Sequence, residues 1–153
     1  MSYCTVEEAN QYVTDNYVST DESRKRWEAL SDDDKQTLLN KSFKVIESLP
    51  YTGRKTCVDQ PQAFPRCPDT DIPTAVKDAE VELALSLSDS ELNSSLKDYR
   101  RMVDYGISSY SIGNFSESIL SYQKNSLQLK YGLISDEAER LLTPWLSGGY
   151  RIG

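Results

Sequence analysis

Four prolines interrupt the chain between residues 50 and 68, and they limit its fold more than any other feature. Pro50, Pro61, Pro65 and Pro68 each lack the amide hydrogen that an interior helical residue donates, so no long helix can cross this segment. The sequence therefore predicts helices on both sides of an irregular connection. Within that connection, Phe64 is expected to fill the hydrophobic core from a loop.

Helix-start signals precede the proline segment at three places. Thr5 and Glu8 have the spacing of a capping box, in which each side chain accepts a hydrogen bond from the backbone amide of the other residue. Residues 20–22 and Ser31 begin two further stretches in which apolar residues recur at helical spacing. We therefore predict three helices before Pro50.

Further helices are predicted after the prolines. Pro73 suits a first helical turn. Apolar residues then recur on one face, which we expect to meet the core: Val76, Ala79, Leu83 and Leu87. The acids of this stretch are expected on its other faces: Asp78, Glu80 and Glu82. Residues 89–99 are expected to form a broken helix, and Ser135 is expected to cap a last helix that ends near residue 146.

The hydrophobic period changes between residues 101 and 123. Val103, Tyr105 and Ile107 alternate with polar residues, and Gly113-Asn114 is a turn signal, so this stretch predicts a β-hairpin or β-arm. An isolated hairpin is marginally stable in water, so the arm is expected to pack on the helices or on another chain. Its apolar and aromatic residues are the candidates for inter-subunit contact: Tyr105, Ile107, Tyr110, Ile112, Phe115, Ile119 and Tyr122.

These elements predict a mainly α fold, a small helical bundle with a β-arm at about residues 101–123 and a flexible C-terminal tail. A chain of 153 residues fits one domain, which we place at residues 1–146, with the tail at residues 147–153. No apolar run approaches the roughly 18 residues of a membrane span, so no membrane partner is expected. The first residues lack the features of a secretory signal.

The composition excludes several kinds of chemistry. Histidine is absent, which removes histidine-activated nucleophiles and the common zinc sites. The three cysteines are expected to be reduced thiols, and they are too few for a tetrahedral zinc site. No nucleotide-binding or nucleophile-elbow motif occurs. We therefore predict a protein that is not an enzyme and has no catalytic residue, metal or cofactor.

The charge of the chain indicates its binding partners less clearly than the composition excludes catalytic chemistry. The formal net charge is −7, which disfavours a polyanion binder driven by overall charge. Two short basic clusters remain, at residues 24–26 and 100–101. They are interpreted first as solvated helix ends, and second as contacts with an acidic partner or a nucleic acid. Aromatic residues do not interleave densely with these bases, which argues against stacking on single strands.

The order of the segments resembles that of a known family. The carrying residues are 3–12, 27–53, 62–66, 72–85, 109–116 and 141–146, and the strongest part is Phe64-Pro65-Arg66 followed by the pattern IPxxVKxAxxELA from Ile72. This succession is similar to the small head-to-tail adaptor (connector) proteins of long-tailed double-stranded DNA phages, which are often labelled "DnaT-like". The polar stretch at residues 86–97 is longer than in such proteins.

The resemblance implies a structural protein of the phage neck. Such proteins form a ring, commonly a dodecamer, between the portal protein and a stopper or tail-completion protein, and double-stranded DNA passes through it. The implied location is the virion neck, and the host cytoplasm during assembly. The C-terminal segment of relatives reaches the portal, which gives four candidate portal-binding residues: Trp145, Tyr150, Arg151 and Ile152.

A second function remains open beside the first. The label "DnaT-like" suggests a replication accessory protein that binds single-stranded DNA. This alternative predicts bases aligned in a groove and binding that weakens steeply with salt.

Overall fold

The computed structural model describes residues 1–104, 127 and 131–146, and in these ranges the chain is mainly helical, as predicted. The predicted tail and the β-arm beyond residue 104 lie outside the described residues. So do all seven candidates for inter-subunit contact, and three of the four for portal binding: Tyr105, Ile107, Tyr110, Ile112, Phe115, Ile119, Tyr122, Tyr150, Arg151 and Ile152.

Six α-helices and one short 3₁₀ helix are formed by the described residues. They are α1 (Val6–Asn16), α2 (Glu22–Glu28), α3 (Asp32–Glu47), α4 (Thr74–Leu87), α5 (Ser90–Asp104) and α6 (Asp136–Leu142), followed by the 3₁₀ turn Thr143–Trp145. These ranges contain no strand, only two isolated antiparallel bridges, Tyr51 with Leu146 and Lys55 with Arg66. None of the described helices is both long and apolar enough to cross a membrane.

The predicted helix starts are confirmed. The Thr5 hydroxyl accepts from the Glu8 amide at 3.1 Å, and the Glu8 carboxylate accepts from the Thr5 amide at 3.1 Å, which completes the capping box. Asp21, Ser31 and Ser135 cap α2, α3 and α6 with their side chains. Each cap satisfies an amide that the helix itself leaves without a partner.

Helix α4 lies at the centre of the bundle and contacts α1, α2, α3, α5 and α6. Val76, Ala79 and Leu83 are buried, as predicted. The expectation that all the acids of α4 lie on outer faces is wrong, because Glu80 is 0% exposed and Glu82 is 6% exposed. Because α4 has neighbouring helices on most sides, little of its surface faces solvent. Residues outside its apolar stripe are therefore buried as well.

The proline segment crosses the core through Phe64, which is 1% exposed, as predicted. Its ring centroid lies 6.0 Å from that of Tyr3, 4.8 Å from that of Tyr51 and 5.4 Å from that of Trp145. All three neighbours meet it edge to face, the favourable arrangement for aromatic pairs. We call these four residues the aromatic cluster.

The predicted start of the β-arm is wrong, since residues 101–104 belong to α5. The structure also replaces the broken helix with a continuous one that begins after Asp89. Alternation over a few residues is a weak strand signal, whereas a helix that already has several turns adds each further residue at little cost. Leu92 and Leu96 hold the start of α5 against the core.

Candidate functional site

An open groove lies between α3, α5 and residues 132–134. It encloses about 340 Å³ and is lined, among the described residues, by Leu38, Lys41, Val45, Leu87, Asn93, Leu96, Lys97, Gly132 and Ile134. The α3 residues recur at intervals of three and four, which places them on one side of that helix. We call this feature the α3–α5 groove.

The α3–α5 groove is cationic. Lys41 and Lys97 are exposed, and neither forms an ion pair with any described residue. No acid and no aromatic residue occurs among the described residues that line it. Apart from Asn93 and Gly132, the other described lining residues are aliphatic, so the groove combines two ammonium groups with a largely apolar surface.

Three other cavities differ from this groove in charge. One of about 260 Å³ has Glu8 and Asp78 in its wall, and one of about 520 Å³ has Glu7, Asp32 and Asp33. A third, of about 330 Å³, has Glu28 beside Lys35. Because carboxylates lower the local potential, these three are poorer places for an anion than the α3–α5 groove.

Asn93 has a fixed orientation in the groove wall. Its Nδ2 donates to the carbonyl oxygen of Leu87 at 2.8 Å and to that of Asp89 at 2.9 Å. Both carbonyls belong to the junction between α4 and α5. These two bonds assign the amide nitrogen and oxygen, because a carbonyl oxygen accepts and does not donate.

Arg66 supports the fold of the proline segment. It is 8% exposed, and its guanidinium donates to the backbone carbonyls of Thr52, Gly53 and Ala63 at 3.0, 2.9 and 3.2 Å. It also lies over the ring of Tyr51, 5.5 Å from the centroid. Because its guanidinium bonds three backbone carbonyls, Arg66 has a structural role in this loop.

The basic cluster at residues 24–26 is engaged within the fold, and of its three side chains only Lys25 is exposed as the interpretation of solvated helix ends expects. Arg24 pairs with Glu28 at 3.4 Å and Lys25 with Glu22 at 3.7 Å. Arg26 donates to Ser88 Oγ at 3.0 Å and to the Leu85 carbonyl at 3.3 Å. These side chains hold the ends of helices and contact no cavity described above.

Glu80 is a buried carboxyl with partners in the N-terminal segment. Its Oε2 accepts from the Tyr3 amide at 2.7 Å, and its Oε1 lies 3.9 Å from Cys4 Sγ. Burial raises the pKa of Glu80 to about 8 and also raises the pKa of the Cys4 thiol. The arrangement holds the chain start on α4 and leaves the thiol protonated and unreactive.

Glu82 has a similar role at the other end of α1. Its carboxylate accepts from the Tyr12 hydroxyl at 2.7 Å and from the Tyr17 hydroxyl. Burial raises the pKa of both phenols, and their bonds to Glu82 add to the shift. No group of three acidic or cysteine side chains in the described ranges is arranged to hold a metal ion.

The sequence-predicted and structural sites barely overlap. Trp145 is half-buried and packs its ring on Phe64, so it contributes to the aromatic cluster. Lys41 and Lys97 were not singled out from the sequence, because they are far apart along the chain and no local motif joins them.

Comparison with known proteins identifies one family. A family model described as "Putative DnaT-like ssDNA binding protein" matches residues 1–150. No curated protein matches the chain, and no solved structure matches it.

The family match corrects the prediction of a phage head-to-tail connector, which is wrong. The description names single-stranded DNA binding and no neck protein, portal, stopper or ring. The resemblance rested on the order of short sequence segments, above all Phe64-Pro65-Arg66 followed by the pattern from Ile72, and a shared fold does not by itself indicate a shared function. The predicted portal partner, stopper or tail-completion partner, dodecameric ring and passage of double-stranded DNA are set aside with it. With residues 1–150 of 153 matched, the chain belongs to the DnaT-like family carrying that description.

Proposed function

We propose that this protein binds single-stranded DNA, as a replication accessory, through the α3–α5 groove. The family description supports the ligand class. The observation that carries the choice of site is the pair Lys41 and Lys97, two exposed cations in one groove without an acid among its described lining residues.

The chemistry of the groove suits an unpaired strand. Ammonium groups contact phosphates as point charges, and each contact releases a counterion from the strand. Leu38, Val45 and Ile134 offer apolar area to the faces of bases. In a duplex those faces are stacked and unavailable, so the groove favours a single strand. Aliphatic contact here replaces the aromatic stacking that is more usual in single-strand binders.

The net charge of −7 affects how this binding should behave. A net negative charge gives a polyanion no overall attraction, so affinity depends on a few local contacts and should fall as salt rises. Two phosphate contacts predict a slope of log K against log salt of about −1.4, from about −0.7 per contact on a single strand. We further propose that the protein acts by binding and catalyses no reaction, since the sequence offers no motif for an activated nucleophile, a nucleotide or a metal.

Fluorescence anisotropy tests the proposal. A labelled mixed-sequence strand of about 20 nucleotides, longer than a site of roughly 4–16 nucleotides, is titrated beside the same sequence as a duplex. We expect binding of the single strand at about 50 mM salt and weaker binding at about 200 mM. Absence of binding to the single strand at the lower salt, or tighter binding to the duplex, would contradict the proposal.

Lysine variants locate the site. Lys41→Ala and Lys97→Ala should each weaken binding and reduce the salt slope by about 0.7. Lys25→Ala is the matched control, because Lys25 is an exposed lysine on α2 that pairs with Glu22 outside the groove. If the control weakened binding as much as the groove variants, the groove would not be the site.

A further inference from the structure

One side-chain acceptor in the wall of the α3–α5 groove has no partner among the residues that the structure describes. The Nδ2 of Asn93 donates both of its hydrogens to the carbonyls of Leu87 and Asp89, which fixes the amide plane. The Oδ1 of the same amide accepts no hydrogen bond from any described residue, and the side chain is half-buried in the groove wall. An acceptor held in this way favours a ligand that brings a donor.

The donor differs among the four bases. Adenine, cytosine and guanine each carry an exocyclic amine, whereas thymine carries carbonyl oxygens at the corresponding positions, and its one base donor, N3–H, lies between those two oxygens. A carbonyl oxygen placed against Asn93 Oδ1 would face a second acceptor and form no bond. The fixed acceptor can therefore distinguish bases that the two lysines, which contact only phosphates, cannot.

We infer that Asn93 gives the α3–α5 groove a preference for bases with an exocyclic amine. The inference rests on the proposed function and deepens it, because it assigns one residue to base recognition in that same groove. The volume of about 340 Å³ lies at the lower end of the roughly 300–1,000 Å³ typical of small-ligand sites, so the groove suits one unpaired base and not a long stack.

The cleanest test changes the ligand and leaves the protein intact. Two oligonucleotides are compared at low salt: one of deoxyadenosine and one of deoxynebularine, the same purine without its amine. Stacking area and phosphate number are matched, so the difference isolates the amine. We expect the adenine strand to bind about fivefold more tightly, the value of about one hydrogen bond. Equal affinities would overturn the inference and leave the proposed function standing.

One variant sharpens the result. Asn93→Ala should bring the ratio of adenine-strand to nebularine-strand affinity down to about one. A variant that folds and keeps the preference would also overturn the inference. If neither purine strand binds at low salt, the proposed function fails and the inference fails with it.

Discussion

Helix α4 and the α3–α5 groove place charged side chains in opposite environments, one buried and one exposed to solvent. Glu80 and Glu82 are buried, and their oxygens accept from Tyr3, Tyr12 and Tyr17. Lys41 and Lys97 are exposed and form no ion pair within the described ranges. The buried acids are already bonded within the fold, whereas the groove lysines keep their charge available for a ligand.

This difference shows why a count of charges is a poor guide to a surface. The net charge of −7 includes Glu80 and Glu82, which are removed from solvent, and it also includes Arg66, whose guanidinium is bound to backbone carbonyls. What a polyanion meets is the local set of free groups. If the comparison holds, substitutions in α4 should change stability, and substitutions in the groove should change binding.

The largest effect on stability is expected for Glu82→Ala. The change leaves the hydroxyls of Tyr12 and Tyr17 without their shared acceptor and opens space beside α1, so unfolding should become easier by about 3 kcal/mol. Urea denaturation measures this. Glu22→Ala is the control, since the Glu22 side chain is 86% exposed and its loss should cost less than about 0.5 kcal/mol. Equal effects of the two variants would break the comparison.

The next effect depends on pH and is expected at Glu80. Its pKa is about 8 in the folded protein and ordinary in the unfolded chain, so between these values the folded state holds the extra proton. Stability from this group is therefore fully present below the ordinary pKa of about 4.5, falls by at most about 1.4 kcal/mol per unit as pH rises from there to about 8, and levels off above that.

Glu80→Gln separates this contribution from all others. Glutamine mimics the protonated acid and can still accept from the Tyr3 amide, so the variant should gain stability relative to the unaltered protein as pH rises from about 5 to 9. Unfolding curves at several pH values measure the difference. A difference that stays constant with pH would show that Glu80 ionises normally.

The smallest effect on stability is expected in the groove. Lys97→Ala removes an exposed side chain without an ion-pair partner among the described residues, so the free energy of unfolding should change by less than about 0.5 kcal/mol. The same preparation should lose affinity for single-stranded DNA. A variant that unfolded easily while binding normally would reverse the comparison and place Lys97 among the structural residues.

The sequence predicted what depends on near neighbours. The caps at Thr5, Ser31 and Ser135 are local hydrogen bonds, and Phe64 is an apolar residue in a segment that cannot be helical. Residues 101–104 were predicted incorrectly because an alternating pattern was given more weight than the continuation of α5. Each correct element could be recognised from a few consecutive residues.

The candidate site could not be predicted in this way. Glu80 is buried because α4 is surrounded by other helices, and a periodicity argument made on one helix has no information about its neighbours. Lys41, Asn93 and Gly132 meet in one groove only after three separate segments pack together. The orientation of Asn93 depends on carbonyls at a helix junction, which no spacing in the sequence reveals.

The aromatic cluster affects when the protein can fold during its synthesis on the ribosome. Phe64 touches Tyr3 from the first residues and Trp145 from nearly the last, so this core cannot close until synthesis has passed residue 145. Contacts between residues so distant along the chain slow folding, because the entropy cost of closing a long loop must be met before the contact forms. Nascent chains that stop before α6 would therefore leave Phe64 partly uncovered and available to chaperones.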